Sequence, residues 1–118
     1  MLLLYDSTKM ALKYLTSASY KEEVEKSKIP VIIDFYADWC GPCRMMSPVF
    51  EALSLEYTNK LKFLKLDTEA ETELAQNFEV MGIPALLVFN KGKEVGRIVG
   101  FAPREHLKQK IDNILASL

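Results

Sequence analysis

The segment Val31-Ile32-Ile33-Asp34-Phe35-Tyr36-Ala37-Asp38-Trp39-Cys40-Gly41-Pro42-Cys43 decides how this chain is read. Its first seven residues are almost all apolar and rich in β-branched and aromatic side chains, the composition of a short central strand covered on both faces. Beyond it Met46, Val49, Phe50, Leu53 and Tyr57 recur at helical spacing, and Pro42 suits a first helical position. A strand therefore hands over to a helix at the cysteines. Three positions apart on that junction, the two thiols lie within the separation that a disulfide requires. Cys40, at the mouth of the helix, is expected to feel the unpaired N–H groups and the positive dipole end, which favour a thiolate and lower its pKa below the ~8.5 of a free cysteine. Cys43, about one turn inside and expected to be the more buried, is suited to attack a mixed disulfide formed on Cys40. The spacing thus reads as a nucleophile, Cys40, and a resolving thiol, Cys43.

Working outward, Leu61 to Leu66 reads as a second strand, and Leu74, Ala75 and Phe78 as a helix whose start is marked by Glu69, Glu71 and Glu73. The alternation to this point is βαβα. Ala85 to Phe89 and Glu94 to Val99 are then separated by Asn90-Lys91-Gly92-Lys93, a turn signal that joins two strands as a hairpin. A hairpin added to parallel units makes the sheet mixed and the class α/β, with helices on both faces. Pro103 opens a last helix carrying the apolar stripe Leu107, Ile111, Ile114, Leu115 and Leu118. Toward the N-terminus, Ser19 and Glu22 are spaced as a capping box, with Tyr20 and Val24 on one face of a short helix that ends before Pro30. Residues 1–10 read as a loosely ordered extension of a single domain spanning 1–118.

Composition narrows the function classes. The 118 residues carry 15 basic and 16 acidic side chains, a net charge of -1, so no broad field favours nucleic acid or an anionic membrane. The apolar start Met1-Leu2-Leu3-Leu4-Tyr5 lacks a basic leader and meets Asp6 early, and no run approaches the ~20 apolar residues of a membrane span. A cytoplasmic location is expected. The only two cysteines are the adjacent pair, unlike the dispersed framework of a secreted fold, and their use is chemical. A zinc site wants four ligands, whereas the chain offers this pair and one histidine, His106, so no metal is expected. A structural disulfide closing so small a loop would remove little chain entropy. His106 is read as a helix-face residue without a role.

Trp39-Cys40-Gly41-Pro42-Cys43, set between a strand and a helix, resembles the active-site string of the thioredoxin family, and the resemblance runs from about Leu12 to Leu118. It implies a five-stranded mixed sheet flanked by four helices. It also bears on Asp34. By its sequence alone Asp34 is either a strand-edge carboxylate facing water or a buried one, whose pKa burial would raise toward neutrality. The family places a buried Asp here, behind the cysteines, taking the proton of the resolving thiol through water, with Lys65 as its neighbour. The same resemblance implies that Ile83-Pro84 is a cis bond facing the cysteines and that the Ile83 main chain pairs with an extended substrate segment. Trp39, Gly41, Pro42, Gly82, Ile83, Gly100 and Phe101 form the implied apolar substrate surface. Tyr36, Arg44, Ala85 and Phe101 depart from common family residues, and the bulk of Phe101 beside Gly100 re-shapes the groove.

The implied activity is reduction of protein disulfides by a monomer. Its only redox group is the Cys40–Cys43 pair, with no bound cofactor, and thioredoxin reductase or an equivalent donor restores the dithiol. Two other readings stand beside it. An oxidant or isomerase is one, against which Pro42 argues, since members with that role often carry histidine there. A binding module that uses the apolar patch around the cysteines, with the cysteines merely gating attachment, is the other.

Overall fold

The computed structural model describes residues 12–118. The expectation for residues 1–10 lies outside them. Five strands form one sheet: β1 (Lys13–Tyr14), β2 (Val31–Tyr36), β3 (Lys62–Asp67), β4 (Ala85–Asn90) and β5 (Lys93–Val99), in the order β1-β3-β2-β4-β5. The pairs β1–β3 and β3–β2 are parallel, while β4 runs antiparallel to both β2 and β5. The sheet is mixed and the class α/β, as the pattern of strand, helix and hairpin requires. Among the described residues four helices flank it, α1 (Lys21–Glu25), α2 (Gly41–Ser54), α3 (Thr72–Asn77) and α4 (Arg104–Ala116), and a 3-10 turn, Leu55–Tyr57, follows α2 directly.

β2 lies at the centre because its residues satisfy both faces at once. Side chains alternate across a strand, so Ile32 and Asp34 point one way while Val31, Ile33 and Phe35 point the other. On the Ile32 side, Leu86, Val88 and Ile98 of the sheet pack against Met46, Phe50 and Leu53 of α2 and Leu107 and Ile111 of α4. On the opposite side, Leu64, Leu66, Leu87 and Phe89 meet Val24 of α1 and Leu74 and Ala75 of α3. Burying a side chain such as Phe50 contributes roughly 1.5–3 kcal/mol, so these two layers carry the fold. The alternation has a functional consequence: Asp34 shares the α2 face, the face toward the cysteine helix.

The hairpin forms where Lys91 and Gly92 follow β4. Both have positive φ, 53° and 81°, the pair of left-handed residues that a two-residue turn needs to match strand twist. Gly96 of β5 serves packing, since a Cβ there would fall 2.7 Å from Cδ1 of Ile114 in α4.

Two local expectations are corrected. Ser19 does not cap a helix with Glu22. Its hydroxyl accepts the Thr16 N–H at 3.1 Å instead, closing a local turn, and α1 is a single five-residue π-helical turn with no side-chain cap. Pro103 opens α4 as its cap residue, as read. Leu118 lies past the helix end and is half exposed, so the buried stripe stops with Leu107 and Ile111, flanked by partly buried Ile114 and Leu115.

Candidate active site

The end of β2 and the start of α2 place the cysteine pair. Cys40 is the cap residue of α2, with extended backbone (φ -87°, ψ 113°), and its Sγ accepts the N–H of Cys43 at 3.2 Å. Pro42 sits in the first turn, where its missing N–H costs no helical bond. The two cysteines are joined as a disulfide with Cα atoms 5.2 Å apart. In this oxidised state Cys40 and Cys43 are 5% and 3% exposed, so the expected contrast in burial is small, and the sulfurs differ instead in position. The Cys40 sulfur is at the helix mouth facing a backbone donor, the arrangement that stabilises negative charge on sulfur.

The opposite wall comes from the chain before β4. The Ile83–Pro84 bond is cis, as the family resemblance implied, and the Ile83 carbonyl oxygen lies 3.8 Å from Cys40 Sγ. Gly100 donates its N–H to the Pro84 carbonyl at 2.8 Å, which brings the end of β5 beside the same wall. Gly100 has φ 93°, a conformation that a residue with a Cβ rarely adopts. On these same segments apolar side chains are open to solvent, with Trp39 68%, Met81 95%, Val99 61% and Phe101 39% exposed. Trp39 donates its ring N–H to Glu69 at 3.3 Å. Gly41 and Gly82 lie at this surface too, and neither is crowded: a Cβ on Gly41 would meet nothing within 4 Å, and one on Gly82 only Val99. Met81 and Val99 escaped the sequence reading. Met81 adjoins Gly82-Ile83-Pro84, a signal that was available, whereas Val99 arrives through strand pairing alone.

Behind the cysteines, Tyr14, Asp34, Tyr36, Ala37, Asp38, Cys43, Arg44, Ser47 and Lys65 line a cavity of about 290 Å³. Asp34 is buried and neither carboxylate oxygen has a hydrogen-bond partner among the described residues. Burial pushes its pKa up to about 7, against a smaller opposing effect of the Lys65 charge. The water-facing alternative for Asp34 is thereby excluded. Lys65 is its register partner on β3, which places the two side chains on one face. The ammonium, however, donates to Ser47 Oγ at 2.9 Å, stands 3.9 Å from a Glu51 carboxylate oxygen, and lies over the Tyr36 ring at 4.9 Å. Ser47 and Glu51 were not singled out by the sequence reading. The Arg44 guanidinium donates to the Asp38 carbonyl at 2.7 Å, on the exposed side of the helix start. His106 is exposed on α4.

The sequence profile of the family described as Thioredoxin matches residues 11–113. The chain belongs to the thioredoxin family. It is 42% identical over 106 residues to a thioredoxin of Staphylococcus aureus, covering 90% of this chain and 100% of that protein. It is 40% identical over 113 residues to a thioredoxin of Mycobacterium tuberculosis, covering 96% and 97%. A thioredoxin of the alga Porphyra purpurea is 36% identical over 107 residues, covering 91% and 100%. With the redox pair Cys40–Cys43 in place, this thioredoxin-family protein is a thiol-disulfide oxidoreductase that reduces disulfides.

Proposed function

We propose that Cys40 is the nucleophile, Cys43 the resolving thiol, and Asp34 the group that takes the Cys43 proton. In the reduced protein the Cys40 thiolate attacks one sulfur of a substrate disulfide, forming an S–S bond and expelling the other substrate sulfur as a thiolate. Cys43 then loses its proton to Asp34, attacks Cys40 Sγ and expels the second substrate sulfur. The substrate gains two electrons, the Cys40–Cys43 disulfide is formed, and a donor returns two electrons and two protons to restore the dithiol. The observation that carries this order is the position of Cys40 Sγ, held at the mouth of α2 against the Cys43 N–H and beside the Ile83 carbonyl.

Substrate recognition in this reading is by main chain and apolar contact. An extended segment pairs with the Ile83 backbone beside Pro84, while Trp39, Gly41, Pro42, Gly82, Gly100 and Phe101 receive its side chains. Lys65 acts on Asp34 from the neighbouring strand. The reading extends to disulfide-containing proteins as substrates, a reductase of the thioredoxin reductase kind as donor, and one monomeric domain over 1–118 acting in the cytoplasm without a bound cofactor. Family membership supports these.

Mixed-disulfide trapping tests the order of attack. Cys43→Ser is expected to hold substrates covalently on Cys40, and Cys40→Ser to hold almost none; equal trapping by both variants would reverse or abolish the assignment.

A further inference from the structure

Lys65 is a buried cation, 7% exposed, and it sits one strand away from a buried carboxyl with no partner. Two such groups on one sheet face would ordinarily close into an ion pair, since each otherwise loses hydration without compensation. They do not do so here. The ammonium is engaged on the helix side: Ser47 Oγ accepts at 2.9 Å, the Glu51 carboxylate lies at 3.9 Å, and the faces of Tyr36 and Tyr14 stand 4.9 and 5.9 Å away. Ring faces attract a desolvated ammonium, and a hydroxyl lone pair fixes its direction.

We propose that Ser47 is a positioning residue for proton transfer at this site: its hydroxyl, with the Tyr36 ring and the Glu51 carboxylate, anchors the Lys65 ammonium outside hydrogen-bond reach of Asp34, so that the carboxyl keeps its affinity for the Cys43 proton. The proposal rests on the reading of Asp34 as the proton acceptor. Its physical content is a competition for one ammonium. A cation brought within about 4–6 Å of a carboxylate lowers the carboxylate pKa by 1–3, whereas a cation held by other acceptors lowers it less. The direction already found agrees, with burial outweighing Lys65 at Asp34. Serine at position 47 is the single α2 side chain that hydrogen-bonds this ammonium.

Every charged group around the cavity enters the balance. From α2 come Cys43, Arg44 and Glu51, from β3 Lys65, and from β1 Tyr14. Asp34 itself, Tyr36 and the following Asp38 belong to β2 and its end. The β4 residues registered against this part of β2, Ala85 and Leu86, bring no charge. The Arg44 guanidinium is committed to the Asp38 carbonyl, which leaves Lys65 as the cation whose placement decides the outcome.

The test is a titration of the Asp34 carboxyl in the oxidised protein, followed by its infrared carbonyl band or by carboxyl-carbon NMR, for the unaltered chain and for S47A, S47T, K65M and S47A/K65M. Freed of Ser47, the ammonium is expected to turn toward Asp34, and S47A should lower the carboxyl's proton affinity about tenfold. S47T retains the hydroxyl and should titrate as the unaltered chain does. In the K65M background S47A should change nothing, because Ser47 acts only through Lys65. An Asp34 midpoint unmoved or raised by S47A, or moved equally in the absence of Lys65, would overturn the proposal. The reading beneath it is judged separately by the pH profile of mixed-disulfide resolution. If D34N leaves that profile unchanged, Asp34 is not the acceptor, whatever the Ser47 titrations return.

Discussion

Asp34 is the buried carboxyl on which the proposed proton transfer rests. A carboxyl with no hydrogen-bond partner, enclosed by the sheet and α2, holds its proton up to a pH of about 7. In the unfolded chain the same group ionises near 3.8, so below that pH it is protonated in both states and costs nothing. As the pH rises from about 4 toward 7 the unfolded state alone ionises, and the folded state loses stability; above about 7 both are ionised and the loss levels off, on the order of 4 kcal/mol. Oxidised D34N is therefore expected to match the unaltered protein in urea unfolding near pH 4 and to exceed it in stability by a few kcal/mol at pH 8. Equal stability of the two at pH 8 would show that the carboxyl is not penalised by burial. The same substitution should slow the resolving step, a case of function retained at the expense of stability. At Cys40, the Cys43 N–H and the helix mouth should make iodoacetamide alkylation of the reduced protein faster at position 40 than at position 43 and faster than for an unfolded peptide thiol at pH 7. A rate no higher than the peptide's would remove the basis for Cys40 as nucleophile.

At the scale of elements, the parts that sequence made legible are those in which residues decide their own backbone. The strand β2, the helix α2 behind Cys40 and the Lys91–Gly92 turn were read from apolar spacing and turn chemistry, and all three lie where those signals put them. The short helix α1 lies before Pro30 as read, but its cap does not form, because Ser19 has a nearer partner in Thr16 than in Glu22 and a short polar side chain takes the nearest backbone donor it can reach. The close approach of β5 and α4 was not legible at all, since Gly96 looks like an ordinary weak point in a strand until Ile114 is seen above it. Gly96→Val is expected to destabilise the protein by roughly 1–3 kcal/mol in chemical denaturation through overpacking against α4, with an unchanged m-value. A neutral or stabilising effect would mean that Ile114 yields without cost.

The whole molecule brings three distant segments to one edge of the disulfide: Trp39 from the end of β2, Met81 to Pro84 from the approach to β4, and Val99 to Phe101 from the end of β5. Met81 and Phe101 are exposed apolar side chains on those segments, which suits them to the substrate contact proposed above. The double variant M81A/F101A should raise KM for insulin reduction roughly tenfold, the effect of about 1.4 kcal/mol of lost contact, while the reaction with a small aromatic disulfide stays within about twofold. A parallel loss with both substrates would place these residues in the chemistry rather than in docking.

What the amino-acid order determined unaided was the class, the strand-to-helix junction and the dithiol, because periodicity, turn residues and a three-residue spacing act over a few neighbouring positions. Tertiary structure alone decided that Asp34 is buried without a hydrogen-bond partner among the described residues, that Lys65 turns to Ser47, and that Val99 is exposed beside Gly82. Those outcomes depend on which enclosed spaces and competing acceptors are left once β1, β3 and α2 have closed on one another, and distances through space are not written along the chain.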